Sequence, residues 1–170
     1  MKVAYCLLLL VINTSCVVNL VGKKGNTGQA LNKNDLSKFN GTYGVLSLNK
    51  VHRTLDQAFW HDNKRGVYKV KIKVLSPKRL QVTTYDARGK VATKIVKGRF
   101  SQGYFVVKKM YKAQVGCFIN GFVTKKARLT ILKNGNLLAD IGTAGFSFLI
   151  VLPVGSGGGT LNNLEFPRIE

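Results

Sequence analysis

From residue 67 onward, apolar and polar residues alternate along the chain in the manner of β-strands. In residues 69–74 this period of two places valine and isoleucine on one face and lysine on the other. We therefore predict half-buried strands with a basic outer face. The lysines of the first of these strands are Lys69, Lys71 and Lys73.

Turn signals divide this pattern into nine or ten short strands. They include Ser76-Pro77-Lys78, Asp86 to Gly89, and Asn134-Gly135, which is the strongest short hairpin signal of the set. Many short strands at regular spacing predict an all-β antiparallel meander that forms a barrel or a sandwich. Closure removes exposed strand edges, so we favour a barrel of eight to ten strands.

Two further segments depart from the strand pattern. Thr54 and Gln57 have the spacing of a capping box, which predicts one short helix over residues 55–61. A helical turn is also expected at residues 35–39. The glycine-rich stretch 155–159 is interpreted as a flexible loop, because no lysine-serine or lysine-threonine pair follows it as a phosphate-binding loop requires.

The N-terminus has a different pattern. One basic residue, Lys2, precedes an apolar run over residues 3–12, and small or polar residues lead from there to Cys16. This order is typical of a secretory signal, and Thr14-Ser15-Cys16 resembles the lipobox of bacterial lipoprotein precursors. The resemblance implies removal of residues 1–15 and lipid attachment at Cys16. Ordinary secretion stays open as an alternative. An uncleaved anchor also stays open, because residues 3–22 carry no charge and are long enough to cross a membrane.

These observations predict three parts of the chain: a signal peptide at residues 1–15, a lipidated flexible tether at 16–38, and a barrel domain at 39–170. The tether is rich in glycine, asparagine and lysine and has no apolar period. We expect an exported monomer attached to the cell membrane or the outer membrane.

The start of the barrel domain resembles a second family. Asn40-Gly41-Thr42-Tyr43 is similar to the Gly-x-Trp motif that opens the first strand of lipocalins, with Tyr43 in place of the tryptophan. Lipocalins also place an arginine near the chain's end, packed over that ring, and Arg168 occupies a suitable position. The resemblance implies a lipocalin-like barrel whose first and last strands are neighbours, with Tyr43 and Arg168 as the closing pair.

Charge narrows the expected partners. Lysine and arginine outnumber aspartate and glutamate by 27 to 7, which gives a net charge of +20. An exported chain meets little nucleic acid, so anionic lipid or anionic polysaccharide is the expected polyanion. Lys69, Lys71 and Lys73 are the candidate contacts. A solvated basic face without a partner is the alternative.

The search for catalytic chemistry is mostly negative. His61-Asp62 is the only close pair of a histidine and a carboxylate, and adjacent residues rarely face each other. No cofactor, metal site or enzymatic activity is expected. Two hypotheses follow: a barrel that binds a small apolar or amphipathic ligand, and a structural or interaction lipoprotein with a packed barrel. A cavity of about 300 Å³ or more inside the barrel, lined by apolar residues with a few polar groups, would favour the first, and solid packing would favour the second.

Overall fold

The computed structural model describes residues 33–49, 54–59, 66–115, 119–149 and 152–170. Two short 3₁₀ helices lie on either side of the first strand: η1 (Lys33–Phe39) before it and η2 (Leu55–Ala58) after it. The strands are β1 (Gly41–Gly44), β2 (Lys69–Ser76), β3 (Arg79–Asp86), β4 (Gly89–Ser101), β5 (Tyr104–Val107), β6 (Met110–Gln114), β7 (Ile119–Ile131), β8 (Leu137–Leu149) and β9 (Leu152–Phe166).

The predicted all-β antiparallel meander is confirmed. The strands form a single sheet in the order β1-β2-β3-β4-β5-β7-β8-β9, and β6 pairs with β7 beyond β5. Val106 lies opposite Arg128, and Met110 lies opposite Lys125. From Val106 to Met110 the chain advances four residues, whereas its partner β7 advances three, from Arg128 to Lys125. One extra residue opposite a regular strand is a β-bulge. Strands β5 and β6 thus act as one bulged strand, and the meander has eight strands across.

Hydrogen bonds bring the first strand of the meander to residues 167–170. The N–H of Thr42 donates to the carbonyl of Glu170 (2.8 Å), and the N–H of Gly44 donates to the carbonyl of Pro167 (2.8 Å). The N–H of Ile169 donates to the carbonyl of Thr42 (2.7 Å). The sheet therefore curls round until β1 meets the residues that follow β9. We call this contact the closure seam.

Tyr43 and Arg168 face each other at the closure seam as an antiparallel bridge. Tyr43 is fully buried, and its hydroxyl donates to the carbonyl of Phe39 (3.1 Å). Arg168 is exposed, and its Nη2 donates to the carbonyl of Asn40 (2.7 Å). The cation–π pairs among the described residues do not include these two. The guanidinium therefore caps a backbone carbonyl beside the seam.

The interior of the curled sheet is packed with side chains from the strands and from both helices. Five aromatic residues have no exposed surface, and each buried ring of this size contributes about 1.5–3 kcal/mol through the hydrophobic effect. Two of them come from η1 and from the residue after η2, so the helices fill the interior rather than lie outside it. The five are Phe39, Tyr43, Phe59, Phe105 and Phe166.

The helix predicted for residues 55–61 is shorter than expected, and its predicted cap does not form. Thr54 precedes a 3₁₀ helix of four residues, and its side chain makes no cap hydrogen bond. Thr54 instead forms an isolated β-bridge with Leu46, and the N–H of Leu55 donates to the carbonyl of Val45 (2.8 Å). Backbone pairing with a distant segment has therefore replaced the local cap. The turn predicted at residues 35–39 is confirmed within η1, where Leu36 is buried.

The flexible loop expected at residues 155–159 is also wrong. These glycine-rich residues belong to β9 and pair with β8, with Gly157 opposite Gly145 and Gly159 opposite Thr143. Ladder hydrogen bonds come from the backbone, so a neighbouring strand can order a segment that lacks side chains.

We predict that Tyr43→Phe lowers the free energy of unfolding by about 0.5–1.5 kcal/mol at pH 7, because it removes one buried hydrogen bond. Burial raises the pKa of Tyr43 to about 12, and the charge of Arg168 opposes that effect in part. Below pH 10 the hydroxyl is neutral in both states. As the pH rises from 10 toward 12, the unfolded chain ionises first, so stability falls.

Urea unfolding of both proteins at several pH values measures this difference. The wild type should lose stability relative to Tyr43→Phe between pH 10 and 12. Parallel stability curves over that interval would contradict the assignment.

Candidate basic cleft

The structure places one group of predicted site residues as the sequence suggested and leaves others undescribed. Cys16, His61 and Asp62 lie outside the described residues. On β2, Val70 and Ile72 are buried, whereas Lys71 and Lys73 are exposed on the outer face. The ammonium of Lys69 lies over the rings of Tyr68 (5.5 Å) and Tyr85 (5.4 Å). Two of the three predicted contact lysines therefore project into solvent.

A larger concentration of positive charge lies farther along the same sheet, beside β4 and β5. Here a cleft of about 390 Å³ opens where β5 passes into β6. This volume falls in the range of about 300–1,000 Å³ that ligand pockets occupy. The cleft, which we call the basic cleft, is lined by Lys97, Gly98, Arg99, Val106, Val107, Lys108, Lys109 and Lys126.

The basic cleft exists because β4 changes partners along its length. Residues Gly89 to Lys97 pair with β3, whereas Gly98 to Ser101 pair with β5. The contact between β4 and its neighbour ends at Lys108, whose N–H donates to the carbonyl of Lys97 (2.8 Å). Beyond that point β6 follows β7 alone. The sheet therefore splits between β4 and β6, and the cleft lies at the split.

Gly98 allows the two strands to meet at this corner. A Cβ atom at this position would lie 2.5 Å from the carbonyl oxygen of Val106 and 2.6 Å from the ring of Phe105. Both contacts are shorter than van der Waals distance, so only glycine fits without displacement. A glycine inside a strand often marks such a close approach of backbones. The close approach at Gly98 and the bulge after β5 therefore lie together at one corner of the sheet.

Five of the eight residues that line the basic cleft are cationic, and none is acidic. Lys97 and Lys108 are joined through their backbones on adjacent strands. Like charges opposite each other across a sheet are destabilising. Lysine and arginine side chains present only N–H donors. A bound anion would relieve this repulsion and accept those donors, so the cleft is suited to an anionic ligand.

An apolar extension adjoins the basic cleft. A second cavity of about 180 Å³ shares Lys97, Val107, Lys108 and Lys109 with it. The rest of its lining is mainly apolar and consists of Phe59, Lys94, Ile95, Val96 and Met110. The two cavities together therefore offer a cationic rim and an apolar wall, which is the complement of an amphipathic anion.

Lys94 is the one cation of the apolar extension that does not also line the basic cleft. It pairs with the buried Val82 in the sheet register, so its side chain starts on the inward face. Its Nζ donates to the carbonyl of Phe59 (2.9 Å), next to η2. Desolvation lowers the pKa of Lys94. An anion bound near Lys94 would restore its preference for the charged form.

The cleft residues were missed in the sequence because no single segment contains them. A signal was nevertheless present: three basic pairs recur within residues 97–126. These pairs are Lys97 with Arg99, Lys108 with Lys109, and Lys125 with Lys126. Their juxtaposition depends on register, which alternation alone does not supply.

Comparison with known proteins gave no match among protein-family models, curated sequences or solved structures. Across the described ranges, no helix is long and apolar enough to cross a bilayer. Within the same ranges, no three histidine, cysteine or acidic side chains lie together as a metal-binding group would. The basic cleft is therefore the feature from which we argue function.

We predict that Gly98→Ala lowers the free energy of unfolding by about 1–3 kcal/mol, because the added methyl group overpacks the corner. Gly159→Ala is the matched control. That residue also lies in a strand, and its Cβ would meet no atom within 4 Å. The control should be neutral or raise stability by up to about 1 kcal/mol, since alanine restricts the unfolded chain.

Chemical denaturation of the two variants beside the wild type provides the measurement. Equal stability of Gly98→Ala and Gly159→Ala would show that the corner tolerates a side chain, contrary to the geometry described above.

Proposed function

We propose that this protein is an exported lipoprotein, anchored through Cys16, whose lipocalin-like barrel binds a small amphipathic anion in the basic cleft. On this proposal it is a binding protein and not an enzyme. The anchor is inferred from the lipobox-like sequence. The barrel-like antiparallel sheet supplies the frame that holds the binding residues.

One observation carries the binding part of the proposal. The basic cleft combines five cations and no carboxylate with Val106 and Val107, and it continues into a cavity walled by Phe59, Ile95 and Met110. Pockets for small ligands commonly pair an apolar wall with a few polar groups that fix orientation. The ligand's charged end would lie among the lysines and its apolar end along the extension.

A second candidate function has support from a different observation. The interior of the curled sheet is filled by five fully buried aromatic rings. Lys71 and Lys73 are exposed on the outer face of β2. This arrangement favours an interaction lipoprotein whose basic exterior contacts anionic lipid or polysaccharide of the envelope, without a ligand inside the barrel.

Binding of decyl phosphate, measured by isothermal titration calorimetry below the concentration at which it forms micelles, separates these candidates. Lys97→Gln with Lys108→Gln should weaken binding about 4- to 25-fold, since each exposed ion pair is worth about two- to fivefold. Inorganic phosphate should bind more weakly than decyl phosphate to the wild type, because it leaves the apolar extension empty.

Lys71→Gln with Lys73→Gln removes the same charge from the outer face of β2 and should leave decyl phosphate binding unchanged. Equal weakening by both double variants would favour the basic exterior over the cleft. If neither double variant weakened binding, the cleft proposal would fail.

The anchor is tested separately by Cys16→Ala. We expect this variant to lose metabolic labelling with palmitate and to leave the membrane fraction, because the thiol at the lipobox-like position is then missing. Ser15→Ala is a suitable control, since it keeps a small residue before the cysteine. Unchanged labelling of Cys16→Ala would rule out the anchor at that position.

A further inference from the structure

The positive charge of the basic cleft continues beyond it as a row that crosses the sheet. Arg79 on β3 is the register partner of Lys97 on β4. Lys97 accepts a backbone hydrogen bond from Lys108, and Lys108 lines the same cleft as Lys126 of β7. Neighbouring strands lie about 4.8 Å apart, so the row spans about 14 Å. We call these four residues the cationic row.

Three of the four residues of the cationic row have no acidic partner among the described residues. The side chains of Arg79, Lys97 and Lys108 make no ion pair within the described ranges, unlike Lys38, which pairs with Asp35, and Arg128, which pairs with Asp140. Arg79, Lys97 and Lys108 are also exposed. Cations placed opposite one another on successive strands cost stability, so this row needs an explanation other than packing.

The next cation along β7 shows what a structural arginine looks like in this sheet. Arg128 donates to the carboxylate of Asp140 (2.6 Å), and its guanidinium lies 4.5 Å from the centre of the Tyr104 ring. Asp140 is buried and also accepts the N–H of Asn163 (2.6 Å). Arg128 is thus neutralised and packed on the same face, two residues from Lys126. The cationic row has none of this support at Arg79, Lys97 and Lys108.

We propose that the cationic row binds a linear oligophosphate, either free or as the head group of an amphiphile. The proposal rests on the function proposed above, because the cleft forms the centre of the row. A single phosphate can contact two neighbouring strands at most, whereas a chain of phosphates can follow the row from Arg79 to Lys126. Arginine and lysine are both effective phosphate ligands, and arginine adds a bidentate geometry.

The test compares orthophosphate, tripolyphosphate and decyl phosphate on the full-length protein at one fixed ionic strength of about 0.15 M. We expect tripolyphosphate to bind at least about tenfold more tightly than orthophosphate. Arg79→Gln should weaken tripolyphosphate binding about two- to fivefold and decyl phosphate binding less, because Arg79 lies outside the cleft and acts on decyl phosphate only at long range. Lys97→Gln should weaken both ligands.

Lys71→Gln is the matched control for Arg79→Gln. Ser76 of β2 is the register partner of Arg79. Lys71 lies five residues before Ser76 on the same strand, so it is about 16 Å from that position. This distance exceeds the screening length of about 8 Å at physiological salt. The control should therefore leave tripolyphosphate binding unchanged, although it removes the same net charge.

The outcomes separate this inference from the proposed function. Equal affinities for orthophosphate and tripolyphosphate would overturn the proposal that the cationic row binds an oligophosphate. Equal effects of Arg79→Gln and Lys71→Gln on tripolyphosphate binding would overturn it too. If the wild type bound tripolyphosphate in a manner that depends on Arg79 but did not bind decyl phosphate, only the proposed binding of an amphipathic anion in the cleft would be overturned. Tighter binding of oligothymidylate than of tripolyphosphate would overturn the oligophosphate assignment in favour of nucleic acid.

A further ligand, decyl diphosphate, identifies the source of the phosphate chain. Tighter binding of decyl diphosphate than of tripolyphosphate would support a lipid head group. Tighter binding of tripolyphosphate would support a free oligophosphate.

Discussion

The backbone pairing of β1 with residues 167–170 is the contact on which the rest of the fold depends. It joins two strand edges that would otherwise present unpaired N–H and C=O groups to water. It also defines an inside, because only a sheet that curls onto itself can bury the rings of Phe105 and Phe166 together with that of Tyr43. The hydroxyl of Tyr43 is satisfied by the carbonyl of Phe39, so burial of this polar group leaves no unpaired donor.

The sheet does not stay continuous all the way round, and the basic cleft is a direct result. Strand β4 is long enough to pair with β3 along one part and with β5 along another, and Gly98 lets it approach β5 closely. The bulge after β5 then sends β6 away along β7. A split sheet exposes side chains from both strands to a common space. Here those side chains are lysines and an arginine above valines, which sets both the charge and the polarity of the cleft.

The sequence predicted the parts of the fold that local pattern controls. The alternation in residues 69–74 places Val70 and Ile72 in the core, and Asn134-Gly135 makes the expected turn, with Gly135 at a φ of +85°. Thr54 and residues 155–159 were mispredicted because distant strands supplied hydrogen bonds that local spacing cannot reveal. The basic cleft was missed for a related reason. Its cations come from three segments, and only the register places Lys97 beside Lys108.

The closure seam also has a consequence for how the protein folds. Thr42 and Glu170, which meet there, are 128 residues apart in the sequence. Closing so long a loop carries an entropic cost that local hairpins such as the one at Asn134-Gly135 do not have. The hairpins are thus expected to form early, and β1 to join residues 167–170 late. Until then the edges of β1 and β9 stay open to pairing with other chains, so the rate of closure sets how long a newly made chain is vulnerable to aggregation.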